Sequence, residues 1–142
     1  MSYNLIVFEA TGDGIALVTI NRPEKLNALD GALMGELGDA FGRAASDPAV
    51  RGLLLTGAGE KAFVAGADIR ELPVGGTSAA RAFALRGQAV FERLARMPKP
   101  SVAAINGFAM GGGLELALAA TLRVAAEHAR LGFPEVKLGI MP

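Results

Sequence analysis

The chain has no cysteine, no tryptophan, one histidine and one tyrosine in 142 residues, and several of these scarcities remove a class of function. Without cysteine there is neither a disulfide framework nor a thiolate metal site, and His128 alone cannot build an imidazole cluster. No metal is expected. A reducing compartment is permitted, and a cytoplasmic location is the expectation. A serine hydrolase fails too, because His128 sits in Ala-Ala-Glu-His-Ala-Arg and no Gly-x-Ser-x-Gly elbow occurs; His128 reads as a surface or structural residue. An excess of either charge is also missing. The 14 basic and 14 acidic residues cancel, which argues against bulk attraction to nucleic acid or anionic lipid. Glu, Arg and Gly interrupt every long apolar stretch, so no membrane span is expected. Glu9 directly follows a short apolar run without a preceding basic region, so the N-terminus does not read as a signal peptide.

What is present is apolar. Hydrophobic residues make up 51% of the chain and charged residues 20%, enough for one domain with a substantial core. Residues 5–10 and 15–20 are β-rich runs separated by Thr-Gly-Asp-Gly, a hairpin signal. Asn-Arg-Pro-Glu-Lys-Leu-Asn at 21–27 reads as a polar loop, and Asp30 as the N-cap of a helix with an apolar face of Leu33, Met34, Leu37, Ala40, Phe41 and Ala44. Asp47-Pro48 ends that helix. The continuous apolar run at 50–56 predicts a strand covered on both faces, followed by a glycine-rich loop over 57–66. Thr77 or Ser78 is the expected cap of a second helix carrying Phe83, Leu85, Val90, Phe91, Leu94 and Met97, stopped by Pro98. A buried strand at 101–105, a glycine turn, a helix over 114–120, a short strand at 122–125 and an irregular end follow. Helices repeatedly follow strands, so the class is α/β with parallel pairing. No internal repeat is visible, and Pro-Val-Gly-Gly at 73–76 is the expected mobile segment.

The most informative stretch is Asn-Gly-Phe-Ala-Met-Gly-Gly-Gly-Leu-Glu at 106–115. Glycines let the backbone approach a ligand, and the first N–H groups of the helix that follows lack intrahelical partners. Donors and helix dipole then face an incoming negative charge. A plain strand-to-helix turn is the other reading. A triphosphate-binding loop is excluded, since Gly113 precedes Leu114 and Glu115 rather than Lys and Ser or Thr. The dinucleotide fingerprint lacks its glycine spacing, although Glu135 lies 20 residues beyond Glu115.

A second glycine-bearing turn, Phe63-Val-Ala-Gly-Ala-Asp68, also follows a buried strand. One N–H from each turn makes an oxyanion hole for a carbonyl, beside which Glu115 and Glu135 can move protons. Burial and mutual repulsion raise the pKa of such a pair. The alternative is that Glu115 caps or solvates its helix while Glu135 pairs with Lys137 or Arg130.

Four motifs in order resemble the crotonase superfamily, and specifically enoyl-CoA hydratase. They are Asn21-Arg-Pro-Glu-Lys-Leu-Asn-Ala-Leu29, Lys61-Ala-Phe-Val-Ala-Gly-Ala-Asp-Ile69, Asn106-Gly-Phe-Ala-Met-Gly-Gly-Gly-Leu-Glu-Leu116 and Phe133-Pro-Glu-Val-Lys-Leu-Gly-Ile-Met-Pro142. The resemblance covers the chain from its first strand. It implies a spiral of ββα units over residues 1–142, ending before a further glycine-rich segment and C-terminal helices. It assigns the oxyanion hole to the N–H groups of Ala67 and Gly112, with the neighbouring glycines admitting the thioester, and the catalytic carboxylates to Glu115 and Glu135. It places Lys25, Leu26, Ala28, Ala65, Asp68, Ile69 and Arg70 against the adenine and pantetheine parts of coenzyme A. It further implies an acyl-CoA substrate, no separate cofactor, and a homo-trimer or a dimer of trimers at full length. Double-bond isomerase and a non-catalytic acyl-CoA- or partner-binding fragment remain as alternatives. One departure is Thr121, where hydratases usually carry aspartate.

Overall fold

In the computed structural model, which describes residues 2–71 and 74–142, the chain forms eight strands and three helices. Strands β1 (Ile6–Ala10) and β2 (Ile15–Ile20) make the expected antiparallel hairpin. Strand β2 then pairs in parallel with β3 (Gly52–Gly57), β3 with β5 (Ser101–Ile105), and β5 with β7 (Leu122–Ala125). A second sheet of β4 (Ala62–Val64), β6 (Phe108–Met110) and β8 (Arg130–Gly132) is parallel throughout.

A repeat that the sequence hides is plain in this order. After the hairpin, each unit sends its first strand to the five-stranded sheet and its second to the three-stranded one, then closes with a helix or helical turn. The units are β3–β4–α2 (Gly76–Ala95), β5–β6–α3 (Gly112–Ala119), and β7–β8 followed by a 3-10 turn at Pro134–Lys137. This is the ββα spiral. Strands β4 and β6 fall inside segments expected to be turns, because three residues flanked by glycine leave too little length for an alternating pattern.

The core lies between the large sheet and helix α1 (Gly31–Ser46). Asp30 caps α1 as expected, its carboxylate accepting from the Leu33 N–H at 2.8 Å. Leu33, Leu37, Ala40, Phe41 and Ala44 are all buried, with Met34 half-buried beside them. Phe41 and Phe63 are fully enclosed, and removing either side chain from water contributes about 1.5–3 kcal/mol. Helix α2 is looser. It starts at Gly76 with Gly75 at the cap position and no side-chain capping bond, so neither Thr77 nor Ser78 caps it. Leu94 is its one fully buried residue, and Leu85 is half exposed rather than part of the apolar face. The Pro73 end of the segment expected to be mobile lies outside the described residues.

Residues 21–27 form the expected polar loop, mostly exposed but ordered: a 3-10 turn at Pro23–Lys25 leads into Leu26 and Asn27 in the left-handed region, and Arg22 and Asn27 are buried. Asn27 compensates the strained backbone by donating from Nδ2 to the carbonyls of Ala58 and Ala62, while its Oδ1 accepts from the Arg22 N–H. Asn106 does the same from the other side, donating to the carbonyls of Gly57 and Gly59. Together the two asparagines clamp the segment that delivers β4. Thr121 sits in a reciprocal pair with buried Ser101, each hydroxyl accepting from the other's N–H at 3.1 and 3.0 Å, so the missing aspartate leaves no gap in local bonding.

Candidate active site

Four of the predicted site residues, Ala67, Gly112, Glu115 and Glu135, line one cavity of about 440 Å³. Leu29, Met34, Phe83 and Phe91 supply apolar wall, so part of the bound group must be hydrocarbon.

Ala67 reaches the cavity through a one-residue parallel bridge with Leu29. Leu29 donates to the Gly66 carbonyl at 2.8 Å, and Asp68 donates to the Leu29 carbonyl at 2.7 Å. Bonds alternate in direction along an extended chain, so the N–H of Ala67 points away from Leu29 and has no partner among the described residues. Gly112 is the first residue of α3, and its N–H lacks an acceptor for the reason common to all helix starts. Two free donors thus face one cavity.

The three consecutive glycines have different jobs. Gly111 has φ +52°, and a Cβ there would lie 2.6 Å from Glu135 Oε1; the residue is bare so that Glu135 can fold against the turn. Gly113 packs on Val64, where a Cβ would overlap the Val64 carbonyl. Only Gly112 faces the cavity, so the expectation that its neighbours admit the thioester is corrected: they seat a carboxylate and a strand.

Glu115 lies in the first turn of α3 and Glu135 in the 3-10 turn after β8, both half-buried. Burial raises the pKa of Glu115 above the ordinary carboxylate value, and the nearby charge of Glu135 raises it further. Glu135 Oε2 is buried without a hydrogen-bond partner among the described residues. Neither Lys137 nor Arg130 forms an ion pair with Glu135 there, so the structural pairing considered from sequence is not made. A desolvated carboxylate oxygen without a partner, on a residue that lines the cavity, leaves bonding capacity unmet at the cavity wall.

The residues placed against coenzyme A fall nearby but outside this cavity. Ala65 donates to the Leu26 carbonyl at 3.1 Å, which brings the segment holding Lys25, Leu26 and Ala28 alongside the one holding Ala65, Asp68, Ile69 and Arg70. Lys25, Ile69 and Arg70 are exposed at that rim. Asp68 is buried and committed: the Arg70 guanidinium, 2.6 Å away, holds its carboxyl well below the usual range. Arg22, unremarked in the sequence as a functional candidate, is buried beside Asp30 and Asp68. No composition signal marks it, since its partners come from tertiary contact. His128 is exposed, as expected, within 3.0 Å of the Asn106 carbonyl through Nε2. Among the described residues no cluster of His, Cys, Asp and Glu fit for a metal is found, and no helix is long and apolar enough to cross a membrane.

Residues 10–142 match the family described as enoyl-CoA hydratase/isomerase. The chain is 47% identical over all of its 142 residues to the short-chain-enoyl-CoA hydratase of Clostridium acetobutylicum, and 46% identical over the same length to the crotonyl-CoA hydratase of Syntrophomonas wolfei. Each alignment spans 54% of the relative, so the chain covers about half the length of the curated relatives it matches. The crystal structure of an enoyl-CoA hydratase from Bacillus anthracis superposes with a TM-score of 0.92 at 37% identity, over 98% of this chain and 54% of that one. An enoyl-CoA hydratase/carnithine racemase from Magnetospirillum magneticum gives 0.93 at 35% identity, over 99% and 53%.

Proposed function

The chain belongs to the enoyl-CoA hydratase/isomerase family, and from that premise we propose that its site adds water across the 2,3 double bond of a 2-enoyl-CoA thioester to give the 3-hydroxyacyl-CoA. The observation that carries the proposal is the meeting of two unpartnered backbone donors and two carboxylates in one half-apolar cavity.

The thioester carbonyl oxygen sits between the N–H groups of Ala67 and Gly112. As water adds, electron density moves from the double bond onto that oxygen, and fixed donors stabilise it at no cost in reorganisation; one such donor is worth about 2.7–4 kcal/mol. Glu115 and Glu135 hold the water that attacks C3; Glu115 takes the proton that this water loses as its oxygen bonds to C3, Glu135 delivers a proton to C2, and proton exchange between the two carboxyls restores the starting state. The products account for both hydrogens and the oxygen of one water. Coenzyme A is part of the substrate, and no separate cofactor enters.

A double-bond isomerase commonly needs one of the two carboxylates, so a cavity holding both favours hydration. The proposal extends to degradation of fatty or related acyl-CoA thioesters and to a homo-trimer or a dimer of trimers at full length, both read from the sequence resemblance, and to the cytoplasm, in keeping with the absence of cysteine. Acyl-CoA or partner binding without turnover is the second reading. Loss of the conjugated-thioester absorbance of crotonyl-CoA tests for hydration. Conversion of a 3-enoyl-CoA without hydration indicates the isomerase, and binding without either reaction indicates the second reading.

A further inference from the structure

We propose that Arg22 is a positioning residue for the Ala67 donor, acting through the Leu29–Ala67 bridge and never touching substrate; this rests on the hydratase reading above.

Arg22 is 4% exposed, so its charge must be compensated within the fold. Its guanidinium finds every one of its partners around a single point. Nη1 donates to the Ala28 carbonyl at 2.5 Å, while Nη2 lies 2.8 Å from Asp30 Oδ2 and 3.9 Å from Asp68 Oδ2. Ala28 and Asp30 flank Leu29, and Asp68 follows Ala67. One planar group therefore holds Ala28 and Asp30 on one side of the bridge directly, and reaches the Asp68 side through a longer charge contact of 3.9 Å.

A long ladder resists tilting because each pair is braced by the next, whereas this one-residue bridge is braced only by the Ala65–Leu26 bond on one side and the Gly31–Glu71 bond on the other. Any rotation of the 28–30 segment against 66–68 swings the Ala67 N–H away from the carbonyl it must meet. Asp30 also caps α1, so the guanidinium fixes the bridge to the start of a helix whose inner face is fully buried. Lysine keeps the charge but is a point donor without the fork geometry, so it cannot hold Ala28 and Asp30 in one plane.

A merely structural arginine would lower stability yet leave the folded molecules with an unaltered donor pair. The two roles separate in the spectrum of a bound chromophoric cinnamoyl-type CoA thioester, whose absorbance moves to longer wavelength as its carbonyl is polarised. The full chain is compared with Arg22→Lys and Asp30→Asn, each at a temperature where circular dichroism shows it folded. The expected result is a red shift in the parent and a clearly smaller one in Arg22→Lys. Affinity changes by no more than about threefold, and kcat for crotonyl-CoA falls about ten- to a hundredfold with KM little moved. Asp30→Asn retains a capping oxygen, loses the ion pair, and gives a weaker version of the same loss, which keeps the test alive if Arg22→Lys does not fold. An undiminished shift in a folded variant overturns the positioning role. A parent chain that neither binds nor shifts the chromophore overturns the hydratase reading, and this proposal with it.

Discussion

The two walls of the cavity are built on opposite principles. On the Ala67 wall every buried polar side chain has partners: Arg22 on Ala28 and Asp30, Asn27 on the carbonyls of Ala58 and Ala62, Asp68 on Arg70. On the carboxylate wall Glu115 is held with a raised pKa and Glu135 Oε2 has no partner among the described residues. The first wall gives its side-chain bonding capacity to the scaffold and presents a backbone N–H. The second also carries a backbone N–H, that of Gly112, but leaves carboxylate bonding capacity unmet.

The largest blow to this contrast comes from removing a member of the partnered wall. Arg22→Met leaves Asp30 without its closest cation beside a buried segment, and is expected to cost about 3–5 kcal/mol in urea unfolding. An effect near zero would show that the wall is not held by its pairing. On the opposite wall, backbone packing carries the load. Gly113→Ala drives a Cβ into the Val64 carbonyl and should cost about 1–3 kcal/mol, whereas Gly112→Ala, with Leu29 Cδ1 at 3.3 Å and Glu115 Oε2 at 3.6 Å, should stay within about 1 kcal/mol of the parent. Gly112→Pro sharpens the point, since proline suits the first helical position; the fold should survive while the N–H, and turnover with it, is lost. Equal destabilisation by the two alanines would erase the distinction among the glycines.

The smallest effect has the opposite sign. A carboxyl whose pKa is raised on folding binds more protons in the native state than in the unfolded one, so its ionisation lowers stability as pH climbs from the ordinary carboxylate value through the raised one. Glu115→Gln should therefore stabilise the chain at neutral pH and lose that advantage in acid, where Glu115 is protonated in both states. The gain is expected to be well under about 1 kcal/mol, because the group is half-buried and water screens it. Unfolding curves at neutral and acidic pH measure it.

Much of this layout was legible in the sequence where a local signal coincides with its structural cause. Asp30 caps because its side chain needs only the Leu33 N–H three residues away, and the strand at Ser101–Ile105 stands where its continuous apolar run put it. The convergence of Ala67, Gly112, Glu115 and Glu135 also followed from motif order. What escaped depends on distant partners. Asn27 looks like a loop residue until the carbonyls of Ala58 and Ala62 arrive from another unit, and Arg22 until residues 28–30 fold back over it. The reasons for Gly111 and Gly113 lie in Glu135 and Val64, 24 and 49 positions away. Helix α2 starts at Gly76, one or two residues ahead of Thr77 and Ser78, with Gly75 at the cap position, so the capping residue types lie inside its first turn.

The central claim is that Glu135 is left unpaired in order to move a proton, and the substitution Glu135→Gln tests it most directly. It retains shape and removes the charge. With crotonyl-CoA the variant should bind the thioester as the parent does while hydration falls by about 10²–10⁴-fold, the range expected for a general acid–base group. Near-normal hydration by a folded Glu135→Gln chain would contradict the account.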